Sequence, residues 1–275
     1  MKRFKTWAPI VIFIIGASIF LYPFVANQVV MYFQKKTIKV YETQVDSIKL
    51  EQIHEMFLEA EHYNDNLAGD PLHDPFIINS GYALPDNYLD VLNLTEEGVM
   101  CYLEIPTIGV NMPVYHGTSD EVLQVGVGHI EGTSLPIGGY NRHSILCAHR
   151  GLPSAELFSR LNEVELDDYF YINVLNEIHV YQVKQIEIIK PEEINAYMKL
   201  DKNKDIITLM TCTPYAVNTH RILVRGERIE DTAIVEEKHN NKKNVNFYYI
   251  FCVICMLVFM VIVIIQVNKK MRTYR

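Results

Sequence analysis

Charge is missing from two long stretches of this 275-residue chain, positions 6–34 and 244–268. Within them, 7–22 and 247–265 are dense apolar runs. A helix needs about 20 apolar residues to cross the hydrocarbon core of a bilayer, so neither run reads as ordinary surface. A cleavage site is missing too. No short apolar core followed by small residues occurs near the N-terminus, and the first run continues to Phe33. That favours a retained anchor over the rival reading, a removed signal peptide.

Acidic residues are absent from both ends. Lys2, Arg3 and Lys5 precede the first run, and Lys269, Lys270, Arg272 and Arg275 follow the second. Basic flanks stay on the cytoplasmic side, which predicts both termini inside and the middle outside. With those seven set aside, 18 basic residues face all 33 acidic ones, a net charge of −15. Such a surface argues against nucleic acid or anionic lipid as an electrostatic partner.

Cysteine is sparse, with five in the chain. Cys252 and Cys255 lie in the second apolar run and read as packing. Cys101, Cys147 and Cys212 remain in the middle, and an odd number excludes a complete set of disulfides within one chain. No internal repeat, phosphate-loop glycine pattern or metal-ligand spacing occurs. Cys147 and His149, with His143 nearby, lack a second ligand pair to complete a tetrahedral site, so neither metal nor cofactor is expected.

What is present changes in texture along the chain. Positions 35–65 lack Pro and Gly and read as helix, with Leu50, Ile53, Phe57 and Ala60 at helical spacing and Met56 beside them. Positions 66–90 shift to Gly, Pro, Asp and Asn, with Asp-Pro steps at Asp70-Pro71 and Asp74-Pro75. An irregular segment of that length is disordered or functional. After Gly98, short β-rich runs follow one another: MCYLEIPTIGVNMPVYHG, HSILCAHR, YFYINVL, IHVYQVKQIEII, IITLMTC and HRILVRGERI. With one helical stretch among them, at about 154–162, they predict a closed barrel or a sandwich.

Side chains alternate along a strand, so Ile206, Thr208, Met210 and Cys212 share one face, and Arg221, Leu223 and Arg225 share another. Cys212 stands just before Thr213-Pro214, where a strand must stop or lie at an edge. Strands joined by a short loop are neighbours, so Cys212 and Arg221 are expected on one groove. His149 closes its own strand just before Gly151. A thiolate is a strong nucleophile, an imidazole can assist it and then protonate a leaving amine, and a fixed guanidinium can hold a carbonyl and its oxyanion.

These residues also carry a resemblance. Thr208-Leu209-Met210-Thr211-Cys212 resembles the Thr-Leu-x-Thr-Cys signature of sortases, and TLMTCTPYAVNTHRILVRG resembles the form found in class C, the pilin-polymerising sortases of Gram-positive bacteria. CAHRGLP around His149 resembles that family's histidine segment. The order His, Cys, Arg and the nine-residue step from Cys212 to Arg221 match as well. The resemblance covers roughly 70–230.

It implies a mainly β fold: a closed sortase-type barrel of about eight strands with short helices, an N-terminal helical stalk and two flanking transmembrane helices. It implies Cys212 as nucleophile, His149 as general acid/base, Arg221 as substrate and oxyanion clamp, and Thr208, Leu209 and Thr211 as supporting motif residues. Asp74, Pro75 and Phe76 match the class C lid motif, whereas Asp70-Pro71-Leu72 fits less well. The division expected is a cytoplasmic tail at 1–6, an anchor at 7–33, an extracellular helical segment at 35–65 and a lid segment at 66–90. The catalytic barrel follows at 91–231, a linker at 232–246, a second membrane helix at 247–266 and a cytoplasmic tail at 267–275.

The activity implied is cleavage of LPXTG-like sorting signals between Thr and Gly through a thioester. A pilin lysine would resolve it to an isopeptide bond, with no cofactor. The alternatives are a housekeeping sortase that uses a cell-wall peptide amine, a thiol protease, or a non-catalytic tethered module. One departure stands out: the family has small residues before the histidine, where this chain has Cys147-Ala148. In a regular strand Cys147 and His149 point the same way, which would bring a second thiol near the site; the plainer reading of Cys147 is a small apolar filler.

Overall fold

Each β-rich run of the sequence becomes strand, and together they close into a barrel. In a computed structural model the strands are β1 (Val99–Ile105), β2 (Val110–His116), β3 (Val127–His129), β4 (Arg142–Cys147), β5 (Tyr169–Val174), β6 (Glu177–Ile189), β7 (Asp205–Thr213) and β8 (His220–Ile229). Their order around the barrel is β1-β2-β3-β4-β7-β8-β6-β5. The β2–β3 and β4–β7 pairs are parallel and the rest antiparallel. The expected mainly β barrel of about eight strands is therefore what forms.

The structure describes residues 2–67, 87–95, 97–197 and 203–230. Contacts divide the chain into two units, Met1–Leu21 with Thr232–Arg275, and Tyr22–Asp231. In the first unit, residues 2–21 are helical. Among the described residues one helix, Val11–Ser47, is long and apolar enough to cross a membrane. The second apolar run, and Asp74, Pro75 and Phe76, lie outside the described residues.

Strand alternation builds two cores from the same strands. Leu146, Ala148, Leu209, Ile222 and Val224 belong to the main barrel core. Their neighbours Ile145, Cys147, Met210 and Leu223 belong to a second buried cluster, completed by Leu123, Ile130, Ile189 and Ile194. Leu123 comes from α3 (Asp120–Val125) and Ile194 from α4 (Ile194–Tyr197), so these short helices cover the outer face of β4, β7 and β8. Burying a residue of this size contributes about 1.5–3 kcal/mol. Inside the barrel Phe170 and Tyr181 stack with centroids 5.3 Å apart. Gly226 makes room for them, since a Cβ there would lie 2.4 Å from Phe170 Cε1.

The helices ahead of the barrel are α1 (Lys2–Ser47) and α2 (Leu50–Asp65). Helix α1 presents Val30, Gln34, Ile38, Tyr41 and Val45 as its buried or packed face. The Tyr41 hydroxyl donates to Met100 O (3.1 Å) and accepts from Leu175 N–H (2.7 Å). In α2 the Asn64 amide pairs with both backbone groups of Leu135 (2.7 and 3.3 Å).

Two local expectations are corrected. The helix break at Lys49, which is extended, restarts the helical phase. Ile53 and Ala60 are buried as expected, but Leu50, in the first turn of α2, is 74% exposed. The stretch 154–162 is not a helix. Its backbone turns through Leu157 at φ 40° and ends in a 3-10 turn, Leu161–Glu163. Its polar groups bond back to the chain after β4 instead: Phe158 N–H to His149 O (3.2 Å) and Ser159 Oγ with Gly151 N–H (3.2 Å). The α-helices among the described barrel residues are instead α3 and α4; α3 is started by Ser119, whose Oγ accepts from Val122 N–H (3.4 Å).

Candidate active site

Cys212 is the penultimate residue of β7, and Arg221 is the second residue of β8. The two are cross-strand partners, with Met210 and Leu223 the pair two residues further in. This register puts the thiol and the guanidinium on one face at one end of the barrel. Both are nearly enclosed, Cys212 at 6% and Arg221 at 4% exposure. Arg221 Nη1 donates to the carbonyls of Asn218 and His220, both at 3.1 Å, so the loop between β7 and β8 fixes the plane of the guanidinium.

His149 arrives from the other side of β7. Strands β4 and β7 run parallel with Cys147 opposite Met210. The pairing continues past the end of β4: Ala148 N–H donates to Met210 O (3.3 Å), and Thr211 Oγ1 donates to Ala148 O (2.7 Å). His149 is the next residue, just past the end of this pairing. The imidazole is half-buried. Burial pushes its pKa below the ordinary histidine range, and the Asp120 carboxylate on α3 opposes that shift. A neutral imidazole of this kind can accept a proton from a thiol.

The signature around Cys212 has a physical account. Thr208 Oγ1 and His143 Nε2 lie 2.8 Å apart, both buried, and tie the first half of β7 to β4. Leu209 fills the barrel core, and Thr211 ties the second half of β7 to Ala148. The site also uses residues that sequence reasoning missed. Arg150 donates to Thr213 Oγ1 (2.8 Å) and to Asn162 Oδ1 (2.7 Å), clamping the strand end to the loop beyond it. Asp120 is the other; its signal was the Ser119-Asp120-Glu121 helix start.

Cys147 does not share the rim with Cys212. It is fully enclosed in the second cluster, opposite Met210. Cys101 is sealed in the barrel, where burial raises its thiol pKa far above the ordinary range. Down the same face of β7 and β8 from Cys212, Gln185, Glu187, Tyr197, Thr208, Leu223 and Arg225 line a small recess.

The sortase domain, as a family, matches residues 103–229. The sortase C structure of Streptococcus pneumoniae, described for its catalysis and pilin substrate specificity, is 39% identical with a TM-score of 0.65, covering 71% of this chain and 97% of that one. Sortase C-1 of Actinomyces oris is 41% identical with a TM-score of 0.62, covering 65% and 99%. Sortase A of Streptococcus agalactiae is 28% identical over 129 residues, 46% of this chain, and the match spans only about half of that relative, 51%.

Proposed function

The chain belongs to the sortase family, and on that premise we propose that it is a cysteine transpeptidase that polymerises pilins. Cys212 is the nucleophile. Its sulfur attacks the Thr carbonyl of an LPXTG-like sorting signal while His149 takes the thiol proton. Arg221 holds the carbonyl oxygen as it becomes an oxyanion. His149 then gives its proton to the departing Gly amine, which leaves a Thr thioester on Cys212. A lysine amine of a second pilin subunit attacks that thioester and loses a proton through His149. The thiol is restored and an isopeptide bond is formed. The peptide bond's energy is kept in the thioester, so the exchange calls for no cofactor.

The observation that supports this reading is the register: Cys212 pairs with Arg221 across β7 and β8, and the β4–β7 pairing runs to Ala148, the residue before His149. The likeness to sortase C structures supports a pilin lysine over a cell-wall peptide amine as acceptor. The first apolar run serves as anchor and the second, 247–266, as a further span, with both termini cytoplasmic and the barrel outside. Asp74, Pro75 and Phe76 serve as a lid over the groove.

The test is to trap the enzyme with a sorting-signal peptide and map the adduct by mass spectrometry, then add a pilin domain or a cell-wall peptide. The expected adduct is on Cys212 and is discharged to the pilin lysine. An adduct on Cys101, or discharge only to the cell-wall amine, would overturn the assignment.

A further inference from the structure

Helix α1 has two faces beyond Tyr22. One sits on the barrel. Asn27 Oδ1 accepts from Glu156 N–H (2.8 Å), Asn27 Nδ2 donates to Glu156 Oε2 (3.4 Å), and two turns on Gln34 Nε2 donates to Val125 O (2.8 Å). The other face carries Val25, Val29, Tyr32 and Phe33 at helical spacing, all exposed. Lys35, Lys36 and Lys39 follow. An apolar stripe ending in aromatic residues is the pattern of a helix leaving a bilayer through its interface.

The contact at Asn27 falls on the rim of the site. Glu156 belongs to the loop after His149, and that loop reaches the β7–β8 turn at Gly151, where a Cβ would lie 3.4 Å from the Tyr215 ring. Beside Glu156, the rim at positions 151–155 and 213–219 carries no charge. In the second stretch Tyr215 and Val217 are exposed at 56% and 63%.

We propose that this rim, the 151–156 loop with the turn of Tyr215 and Val217, rests on the outer interface of the bilayer that holds α1. The groove of Cys212 then opens at the membrane surface and receives substrates that are themselves held in that membrane. The occupant is lipid, because the exposed apolar stripe of α1 is the last part of the uncharged 6–34 run itself. The attraction is apolar, so it does not depend on anionic headgroups. The inference rests on the membrane anchoring proposed above.

The single tryptophan, Trp7, separates the two readings. The full chain is reconstituted in zwitterionic phosphatidylcholine vesicles brominated either near the headgroup or deep in the acyl chain. Wild-type Trp7 reports the anchor. On a Trp7→Phe background, Tyr215→Trp reports the rim, and Tyr140→Trp reports the opposite end of β4. The Trp placed at 215 should lose most of its emission to shallow bromines, and the one at 140 none. If Tyr215→Trp fails to fold by circular dichroism, Val217→Trp gives the same readout. Quenching of Trp7 without quenching at 215, or equal quenching at 215 and 140, overturns this inference and leaves the anchor standing. Loss of quenching at Trp7 removes the anchor and the inference together. A second copy of the chain covering the rim would keep the probe at 215 bright, which also counts against lipid.

Discussion

Strand β7 carries a polar cluster at each end, and the two are built in opposite ways. At its start Asp205 is buried with both oxygens engaged inside the protein. Oδ1 accepts from the Tyr181 hydroxyl (3.0 Å), and Oδ2 accepts from Gly139 N–H (2.8 Å) and Arg228 Nη1 (3.4 Å). At its finish the hydroxyls of Thr211 and Thr213 bond to Ala148 and Arg150, just after β4, while Cys212 is carried between them to the rim. The first cluster ends in itself and can only stabilise. The second leads to Cys212, Arg221 and His149, the three groups that the proposed reaction would need aligned.

Substitutions at the two ends should therefore separate activity from stability. Cys212→Ala should abolish the thioester adduct and leave the melting temperature unchanged. Cys101→Ala should retain adduct formation. If Cys212→Ala still formed an adduct with a sorting-signal peptide, the end carrying the chemistry would be misassigned. Arg221→Lys comes next in size. An ammonium cannot reproduce the guanidinium fork that Asn218 and His220 hold in plane. Loss of such a contact costs on the order of a hundredfold, about 3 kcal/mol, in the acylation rate. Near wild-type rates for Arg221→Lys would remove the clamp.

At the other end, Asp205→Ala should act on stability alone. It leaves the Tyr181 hydroxyl, Gly139 N–H and Arg228 without their acceptor, and a stranded buried donor costs about 1–3 kcal/mol. Chemical denaturation should show that loss, while the acylation rate below the transition stays at the wild-type level. A large drop in acylation with unchanged stability would show that the two ends are coupled.

How much of this difference could be read from the sequence follows from the range of the interactions involved. Cys212, His149 and Arg221 could be singled out as candidates because strand alternation and the signature are local properties of short runs. The barrel was legible because its strands are short, frequent and β-rich. Asp205 was not, since its partners Gly139, Tyr181 and Arg228 are distant in sequence and share only a place in the closed barrel. The 154–162 stretch misled because its composition permits helix, while Arg150, Gly151 and the His149 carbonyl use its hydrogen-bonding groups. Cys147 left two readings open in sequence. Its burial among residues that include Leu123 of α3 and Ile194 of α4 agrees with the small apolar filler.

The smallest effect concerns the pH dependence of the site end. Burial lowers the pKa of His149, and Asp120 pulls it partly back up. Neutral His149 is the form that accepts the Cys212 proton, so the acylation rate should fall as pH drops through the pKa of His149. This acid limb lies below the ordinary histidine value because burial outweighs Asp120. Asp120→Asn removes the opposing charge and keeps the helix start intact, since asparagine is close in shape and Ser119 supplies the cap. His149 then falls further, and the acid limb of kcat/KM should move to lower pH with the plateau unchanged. Asp205→Asn, at the far end of β7, should leave the limb where it is. A limb that stays put or moves up in Asp120→Asn would mean that His149 is not the group titrating there.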